Sequence, residues 1–228
     1  MHRRQPPRSG ASYRPNACAG EHPVLMDLLV GTLATGDVFL DVGANTGFFV
    51  LPIAELVGSD GHVLAFEPAP DAAHLLRSAA RARGVLSWIS LYEMALGDEV
   101  GSLPLRADPA HPDDTTKRSL FMADGPVVAE VPIRALDGLV GSGDVDLPHG
   151  IDAVKIDVEG AEVRVLRGMR RTLERHRPRI VVIETIESHL HRAGSSVADV
   201  DTFMRGLGYG RMNEVGRALE LNAVFAPI

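Results

Sequence analysis

Cysteine is almost absent from this chain of 228 residues, which contains only Cys18. A lone cysteine cannot form an internal disulfide, so the fold cannot depend on one. Low use of cysteine is typical of proteins in a reducing compartment, and we expect a cytoplasmic location. The chain also lacks an apolar run long enough to span a bilayer, which argues against a membrane partner. The pair Arg3-Arg4 is not followed by the hydrophobic segment that a twin-arginine signal needs.

An excess of basic residues is lacking as well, because the formal net charge is −7. A surface that binds nucleic acid requires concentrated positive charge, so we expect no nucleic-acid partner. Arginines do cluster between residues 164 and 179. Residues 161–173 are predicted to form one helix, with its inward side chains at Val165, Leu166, Met169 and Leu173. Glu162 precedes the arginine cluster and Glu174 lies within it, so we interpret the cluster as the solvated face of this helix and of the residues after it.

The length and the 45% share of apolar residues fit one globular enzyme domain. We assign residues 21–228 to that single domain. Residues 1–20 are rich in arginine, proline, serine and glycine, which predicts a flexible N-terminal tail. The alternative is a lid that orders over a bound ligand.

What the chain does contain is a strand and a glycine turn within residues 37–47. Apolar residues between Asp37 and Asp41 predict a strand that is buried on both faces, as in the middle of a parallel sheet. Gly43 and Gly47 bracket a tight turn, where glycine permits unusual dihedrals or the close approach of a ligand. Ordinary turns from strand to helix also use glycine, so a turn without a ligand is the alternative.

The residues after this turn favour a nucleoside ligand. We expect Asn45 and Thr46 to cap the next helix, whose free N–H groups would face a ligand with negative charge. The apolar run 62–66 predicts the second strand, and Glu67 follows it. In a doubly wound fold an acidic residue at that strand end accepts the hydroxyls of a nucleoside ribose.

The glycine spacing distinguishes between nucleosides. The dinucleotide fingerprint has three glycines, spaced so that a pyrophosphate can lie against the helix. This loop has Gly43 and Gly47 with Asn45 between them, which suits a nucleoside with an amino-acid tail better than a diphosphate. An NAD-type oxidoreductase is therefore the disfavoured alternative.

Motifs of one family occur in order along the chain. They are Asp41-Val42-Gly43-Ala44-Asn45-Thr46-Gly47, Phe66-Glu67-Pro68, Ala95-Leu96-Gly97-Asp98 and Lys155-Ile156-Asp157-Val158-Glu159-Gly160-Ala161-Glu162. Together they resemble the FkbM family of S-adenosylmethionine-dependent methyltransferases. The resemblance implies an α/β, Rossmann-like fold: a doubly wound seven-stranded sheet with helices on both faces. Two short strands, expected at about residues 209–213 and 219–225, are close enough to form its antiparallel C-terminal hairpin.

The resemblance also implies a cofactor, S-adenosyl-L-methionine, with S-adenosyl-L-homocysteine as the product. The expected cofactor-binding residues are Asp41, Gly43, Ala44, Asn45, Gly47, Glu67, Pro68, Glu93, Met94 and Asp157. Glu93 would accept the adenine amino group, although a solvated carboxylate in a turn is an equal alternative.

The alternation of strand and helix stops between residues 101 and 136. Two extra strands are expected at residues 102–105 and 127–133, with the polar loop 108–118 between them. Loops of this length tend to be functional or disordered. In the FkbM family an insertion at this place leads to the substrate side. The resemblance therefore implies that the residues which bind the acceptor are among Thr115, Thr116, Lys117, Arg118 and Ser119. A loop that serves only as a spacer is the alternative.

The strand predicted at residues 151–157 carries a lysine and an aspartate. Strand periodicity puts Lys155 and Asp157 on one face, and Asp157 arrives at the edge where open α/β sheets bind ligands. Buried charges need partners, so we expect Lys155 to pair with Asp157 or with Asp41. A purely structural ion pair is the alternative to a catalytic role.

The expected reaction is in-line transfer of the sulfonium methyl group to a hydroxyl or carboxyl oxygen of a small molecule, a sugar or a secondary metabolite. Aligning donor and acceptor is the main task of the protein. For the acceptor proton, Asp157 is the first candidate as base or binding group, His189 the second, and Glu184 lies at the same edge. Glu159 is expected to contact the acceptor.

Two further expectations concern metals and assembly. Carboxylates at this edge would offer oxygen ligands to Mg²⁺, but we favour a solvated Glu184 and expect no metal site. A homo-oligomer is left open. A protein that binds S-adenosylmethionine without catalysis is the alternative outside enzymes.

Overall fold

The computed structural model describes residues 22–147, 149–212 and 221–228. The predicted N-terminal tail, its alternative as a lid, and Cys18 lie outside these residues, as does segment 213–220 between the last two strands. Within the described ranges no helix combines the length and the apolar character needed to cross a membrane.

The secondary structure alternates strands and helices for most of the chain. The strands are β1 (Val38–Val42), β2 (His62–Phe66), β3 (Ile89–Tyr92), β4 (Ala95–Leu96), β5 (Gly101–Ala107), β6 (Arg118–Ser119), β7 (Val127–Arg134), β8 (Ala153–Ile156), β9 (Ile180–Glu184), β10 (Tyr209–Arg211) and β11 (Asn222–Pro227). The helices are α1 (His22–Thr32), α2 (Val50–Val57), α3 (Pro70–Ala82), α4 (Leu136–Ser142), α5 (Glu162–Gly168), α6 (Arg170–His176), α7 (Glu187–Arg192) and α8 (Val197–Gly206).

The main sheet has seven strands in the order β10-β11-β9-β8-β1-β2-β3. Its neighbouring strands are parallel except at β11, which runs antiparallel to both β9 and β10. The side chains of β1 alternate between two cores: Phe39 packs with α1, α2 and α3, whereas Leu40 packs with helices of the second half of the chain. Helices therefore cover both faces, which explains why the central strands are mostly apolar, with Asp41 and Lys155 as the exceptions. The predicted doubly wound fold and its C-terminal hairpin are confirmed.

The helix after β1 begins later than predicted. The expectation that Asn45 and Thr46 cap it is wrong, because α2 begins at Val50 and its N-cap residue forms no side-chain capping hydrogen bond. Asn45 has φ +46° and Gly47 has φ +93°, so the chain keeps turning before the helix begins. Pro52 lies in the first turn of α2, where a backbone N–H would have no partner within the helix.

Residues 161–173, predicted as one helix, contain a break. The helix α5 ends at Gly168 and α6 begins at Arg170, with Met169 at φ −121° between them. A Cβ atom on Gly168 would lie 1.9 Å from the carbonyl oxygen of Gly97, so this helix end packs directly on the turn after β4. The break is set by a tertiary contact that helical periodicity does not encode. The predicted inward side chains are buried: Val165, Leu166, Met169 and Leu173.

The segment from β4 to β7 adds a second sheet with the strand order β4-β7-β5-β6. The two predicted extra strands are present as β5 and β7, which pair antiparallel. Arg118 donates two hydrogen bonds to the Asp71 carboxylate of α3, at 2.6 and 2.9 Å. The Ser119 hydroxyl donates to the carbonyl oxygen of Glu159 at 2.9 Å. These contacts fasten the insertion to the helix after β2 and to the loop after β8.

Candidate active site

A cavity of about 640 Å³ lies between the insertion and the carboxyl ends of β1, β2, β8 and β9. Open parallel sheets bind their ligands at this edge, and the volume is in the range of sites for cofactors and small molecules. A smaller cavity of about 100 Å³ lies between the insertion and α5, with Phe121 and Arg164 in its wall. Its volume is too small for a nucleoside.

Gly43 lies where the loop after β1 meets the loop after β8. Its φ is +88°, and a Cβ atom there would lie 1.8 Å from the carbonyl oxygen of Asp157. The N–H groups of Gly43 and Ala44 both donate to the carbonyl oxygen of Phe66 at the end of β2. A glycine at this position therefore allows three strand ends to meet at the cavity.

Gly43→Ala is expected to destabilise the protein more than Gly36→Ala. The two glycines share a φ of +88°, so a side chain at either position costs about 1–2 kcal/mol of left-handed strain. At Gly36 the nearest neighbour of the added Cβ is 3.9 Å away, whereas at Gly43 the backbone of Asp157 must move. That movement adds roughly 1–3 kcal/mol. Chemical denaturation of both variants measures the difference, and equal losses would mean that the close approach at Gly43 carries no cost.

The Glu67 carboxylate holds two loops together. Its Oε2 accepts a hydrogen bond from the Asn45 N–H at 2.7 Å, and its Oε1 accepts one from the Ala69 N–H at 2.8 Å. Burial raises the pKa of Glu67, against the lowering effect of these two backbone donors. A carboxylate offers about four lone-pair positions, so Glu67 retains acceptor capacity toward the cavity that it lines.

Asn45 places an unsatisfied acceptor in the same wall. It lines the cavity, and its side-chain Oδ1 is buried without a hydrogen-bond partner in the described part of the chain. A buried acceptor left unpaired costs about 1–3 kcal/mol. The side chain therefore marks a place where a ligand with a hydrogen-bond donor would be favoured.

The cavity contains most, but not all, of the residues predicted to bind the cofactor. Those that line it are Gly43, Ala44, Asn45, Glu67, Pro68, Met94 and Asp157. Asp41 is buried within β1, and Gly47 packs beneath Leu76. Glu93 is exposed and forms an ion pair with Arg77 at 2.7 Å. Contacts of these three residues with a cofactor stay predictions.

Lys155 lies between two aspartates below the cavity. Its Nζ is 2.9 Å from Asp157 Oδ2 and 4.0 Å from Asp41 Oδ1, so both of the partners predicted as alternatives are within ion-pair distance. Burial raises the pKa of Asp41 to about 7, although the lysine opposes this. Burial also disfavours the charged lysine, but the two carboxylates together raise its pKa above the usual value. Lys155 and Asp157 therefore form an ion pair, and Asp41 adds a second carboxyl group beside it.

Glu159, Glu184 and His189 meet in the wall beside Asp157. The imidazole Nδ1 of His189 is 2.8 Å from Glu159 Oε2 and 3.7 Å from Glu184 Oε2. Burial raises the pKa of Glu159 to about 9, and the neighbouring carboxylates Glu184 and Asp157 add to this effect. Burial raises the pKa of Glu184 as well. Glu159 has φ +56°, and such left-handed conformations in residues other than glycine are concentrated at functional sites.

The insertion contributes to the cavity as well. The predicted acceptor-binding residues that line it are Thr115, Thr116, Lys117 and Arg118. Ser119 is buried and bonds to the Glu159 backbone instead. The Arg118 guanidinium is committed to Asp71, whereas the Lys117 ammonium is 43% exposed and 3.8 Å from its nearest carboxylate. Lys117 is therefore the cation of the insertion that remains available to a ligand.

Arg192 also lines the cavity, and the sequence reasoning missed it. It lies in the last turn of α7, three residues after His189. Residues at that spacing share a helix face, and this was the signal that the sequence offered. The guanidinium lowers the pKa of Glu159, in opposition to the neighbouring carboxylates.

Comparison with known proteins finds relatives over most of the chain. A sequence model of the methyltransferase FkbM domain matches residues 41–210. The 31-O-demethyl-FK506 methyltransferase FkbM of Streptomyces tacrolimicus is 30% identical over 201 residues, which are 78% of this chain and 74% of that protein. The hexuronic acid methyltransferase AglP of Haloferax volcanii is 33% identical over 158 residues, which are 68% of this chain and 59% of that protein.

A solved structure shares the architecture. The methyltransferase FkbM from Methylobacillus flagellatus KT superposes with a TM-score of 0.51 at 14% identity, over 85% of this chain. This chain spans only 44% of that one. At such low identity the likeness shows the fold alone.

Proposed function

The chain belongs to the FkbM methyltransferase family, and we propose that it transfers the sulfonium methyl group of S-adenosylmethionine to an oxygen atom of a small molecule. The observation that carries this proposal is the cavity wall in which Gly43, Glu67 and Asp157 meet at the ends of three adjacent strands. We expect a nucleoside with an amino-acid tail to bind against this wall.

The charge of the cavity supports S-adenosylmethionine over a dinucleotide. The wall contains the carboxyl groups of Glu67, Asp157 and Glu184, together with Glu159, whose pKa, raised by burial to about 9, leaves it uncharged at neutral pH. A sulfonium and an ammonium group are attracted to such a surface, whereas a pyrophosphate would be repelled. Asn45 Oδ1, the acceptor without a partner, suits the ammonium of the amino-acid tail. The remaining lone pairs of Glu67 suit two ribose hydroxyls.

In the reaction, S-adenosylmethionine supplies a methyl group on a positively charged sulfur, and transfer neutralises that charge. The protein aligns the acceptor oxygen and accommodates its proton. Asp157 is our candidate for the proton because it lies at the end of β8, beside the loop of Gly43, with Lys155 as its charged partner. His189 and Glu184 are the alternatives in the same cavity.

The acceptor is proposed to occupy the side of the cavity formed by the insertion. Lys117 lies on that side and Arg192 also lines the cavity; the ion pair of Lys117 with Asp114 is long, at 3.8 Å, and 43% of the lysine side chain is exposed. Cations placed there would attract an acceptor that carries a carboxylate. The name of the Haloferax relative, a hexuronic acid methyltransferase, agrees with such an acceptor. We propose a hydroxyl or carboxyl group of a sugar acid or of an acidic secondary metabolite.

Titration calorimetry tests the cofactor assignment. We expect S-adenosylhomocysteine to bind and NAD to show no binding. Glu67→Gln should weaken S-adenosylhomocysteine binding by roughly 10–100-fold, because charge-assisted hydrogen bonds are worth about 1.5–3 kcal/mol each. The NH₂ group of the glutamine would also face a backbone N–H group that donates a hydrogen bond to the carboxylate in the natural protein.

Glu55→Gln is the matched control, since Glu55 is exposed and pairs with Arg83 away from the cavity. Binding of NAD without a response to S-adenosylhomocysteine would contradict the proposed cofactor. Unchanged affinity in Glu67→Gln would remove Glu67 from the ribose site.

A further inference from the structure

Two carboxylates and an imidazole converge in the cavity wall. Glu159 follows β8, Glu184 ends β9, and His189 lies on α7. One ligand atom from each lies within 4.8 Å of the other two. Because the three side chains come from separate elements that are all fixed to the sheet, their convergence does not depend on a single flexible loop.

Well-aligned hydrogen bonds do not account for this arrangement, although, against the raising effect of burial, the nearby His189 lowers the pKa of Glu184. His189 Nδ1 is 2.8 Å from Glu159 Oε2, yet this contact lacks the alignment of a hydrogen bond. Both His189 Nδ1 and Glu184 Oε2 are buried atoms without a hydrogen-bond partner among the described residues. The side chain of Glu184 is only 12% exposed, so water has little access to it. Groups of this kind are costly to bury unless something else satisfies them.

The nearby basic side chains do not supply the missing partner. The Lys155 ammonium is held by Asp157 at 2.9 Å and by Asp41 at 4.0 Å. Arg192 forms no ion pair with Glu159 or Glu184 within the described ranges, and it is exposed. An external cation between these side chains would satisfy both carboxylates and the imidazole nitrogen together.

We propose that Glu159, Glu184 and His189 bind one divalent transition-metal cation, of which Mn²⁺ and Zn²⁺ are the best matches. An imidazole with two carboxylates is a mixed nitrogen and oxygen ligand set, which suits these ions better than Mg²⁺ or Ca²⁺. Three protein ligands leave coordination positions open, and these would face the cavity that all three residues line. A hydroxyl or carboxylate oxygen of the acceptor can occupy such a position.

This site goes beyond methyl transfer and differs from the sequence-based expectation of no metal. In the sequence, two helices and a strand separate His189 from Glu159, so the sequence does not show that their side chains meet. With the metal bound, His189 and Glu184 serve as ligands and leave Asp157 as the group that handles the acceptor proton.

Metal binding is tested on the full chain after removal of metals with a chelator. We expect calorimetric titration with MnCl₂ alone, and separately with ZnCl₂ alone, to show one site per chain. Co²⁺ as a spectroscopic probe should give visible absorption bands of a mixed nitrogen and oxygen site. Glu159→Gln, Glu184→Gln and His189→Asn should each weaken binding by at least roughly 10–100-fold. Metal should also raise the Tm of the natural protein and not that of the variants.

Glu187→Gln combined with His191→Asn is the matched control, because this exposed pair lies on the same helix as His189, with His191 Nε2 2.8 Å from Glu187 Oε1. It should bind metal as the natural protein does. Circular dichroism and S-adenosylhomocysteine binding show whether each variant is folded. Absence of Mn²⁺ and Zn²⁺ binding up to about 1 mM, or equal binding by the cluster variants, would overturn the proposal. If the natural protein bound the metal but did not bind S-adenosylhomocysteine, the proposed cofactor would be wrong and the proposed metal site would stand.

Discussion

Asp157→Asn is expected to lower the methylation rate by roughly 10²–10⁴-fold while the affinity for S-adenosylhomocysteine changes little. The substitution keeps the size of the side chain but removes the charge that would accept or orient the acceptor proton. The carboxylate lies at the cavity, with its Oδ2 held by Lys155 at 2.9 Å. Single-turnover transfer from labelled S-adenosylmethionine to the acceptor measures the chemical step.

Asp201→Asn is the matched control for this rate. The Asp201 side chain is 29% exposed against 27% for Asp157, and each pairs with one basic residue, but Asp201 lies outside the cavity. The control should retain the natural rate. If Asp157→Asn were fully active, alignment of donor and acceptor would be the source of the rate, and Asp157 would have no role in proton transfer.

Lys155→Met is expected to lower the free energy of unfolding by about 3–5 kcal/mol, since it leaves buried carboxylates without their cation. Lys155 is 2% exposed and Asp41 is 1% exposed, so water cannot replace the ammonium. Methionine has a similar length and can keep the contact with the Phe49 ring, from which Nζ is now 4.8 Å. Chemical denaturation of the variant measures the loss.

The double variant Lys155→Met, Asp157→Asn separates charge from packing. Removing one of the unpaired carboxylates should recover part of the loss, and the size of the recovery is the coupling between the two residues. Asp157→Asn alone should cost less, because Lys155 then retains Asp41. A double variant that is no more stable than Lys155→Met would contradict the assigned role of charge.

The loss in Lys155→Met should also depend on pH. Burial already raises the pKa of Asp41 to about 7, and removal of the ammonium raises it further. A carboxyl whose pKa is raised in the folded state favours folding below its unfolded pKa, and this advantage is lost as the pH rises through the folded pKa. The deficit of the variant should therefore be smallest in acid and grow above about pH 7. A deficit that is constant with pH would indicate lost packing instead.

Much of the fold was predictable because local patterns encode it. The apolar run in β1, the turn at Gly43 and the acidic residue after β2 follow rules that involve only neighbouring residues. The same holds for Lys155 and Asp157, which strand periodicity places on one face. That Lys155 pairs with Asp157 or Asp41 followed from the cost of a buried charge, and the structure shows that it contacts both.

Other features were mispredicted where a distant contact prevailed over a local preference. The helix expected at residues 161–173 breaks at Met169 because Gly168 packs on the Gly97 backbone. Asn45 is a good capping residue, yet its backbone N–H donates to the Glu67 carboxylate and its side chain lines the cavity. Neither partner is near in sequence, so neither could be inferred from propensity.

By itself, the sequence determined the fold class, the edge of the sheet at which a ligand is expected and most of the polar residues that reach that edge, since periodicity and glycine spacing are local properties. Only the tertiary structure decided which polar groups share partners. Lys155 is occupied by Asp157 and Asp41, whereas Glu159, Glu184 and His189 converge with unsatisfied atoms. The physical reason is that the free energy of a buried charge depends on the atoms within a few ångströms of it, which either stabilise the charge or leave it without a partner. In this sheet those atoms come from strands and helices that are far apart in the chain.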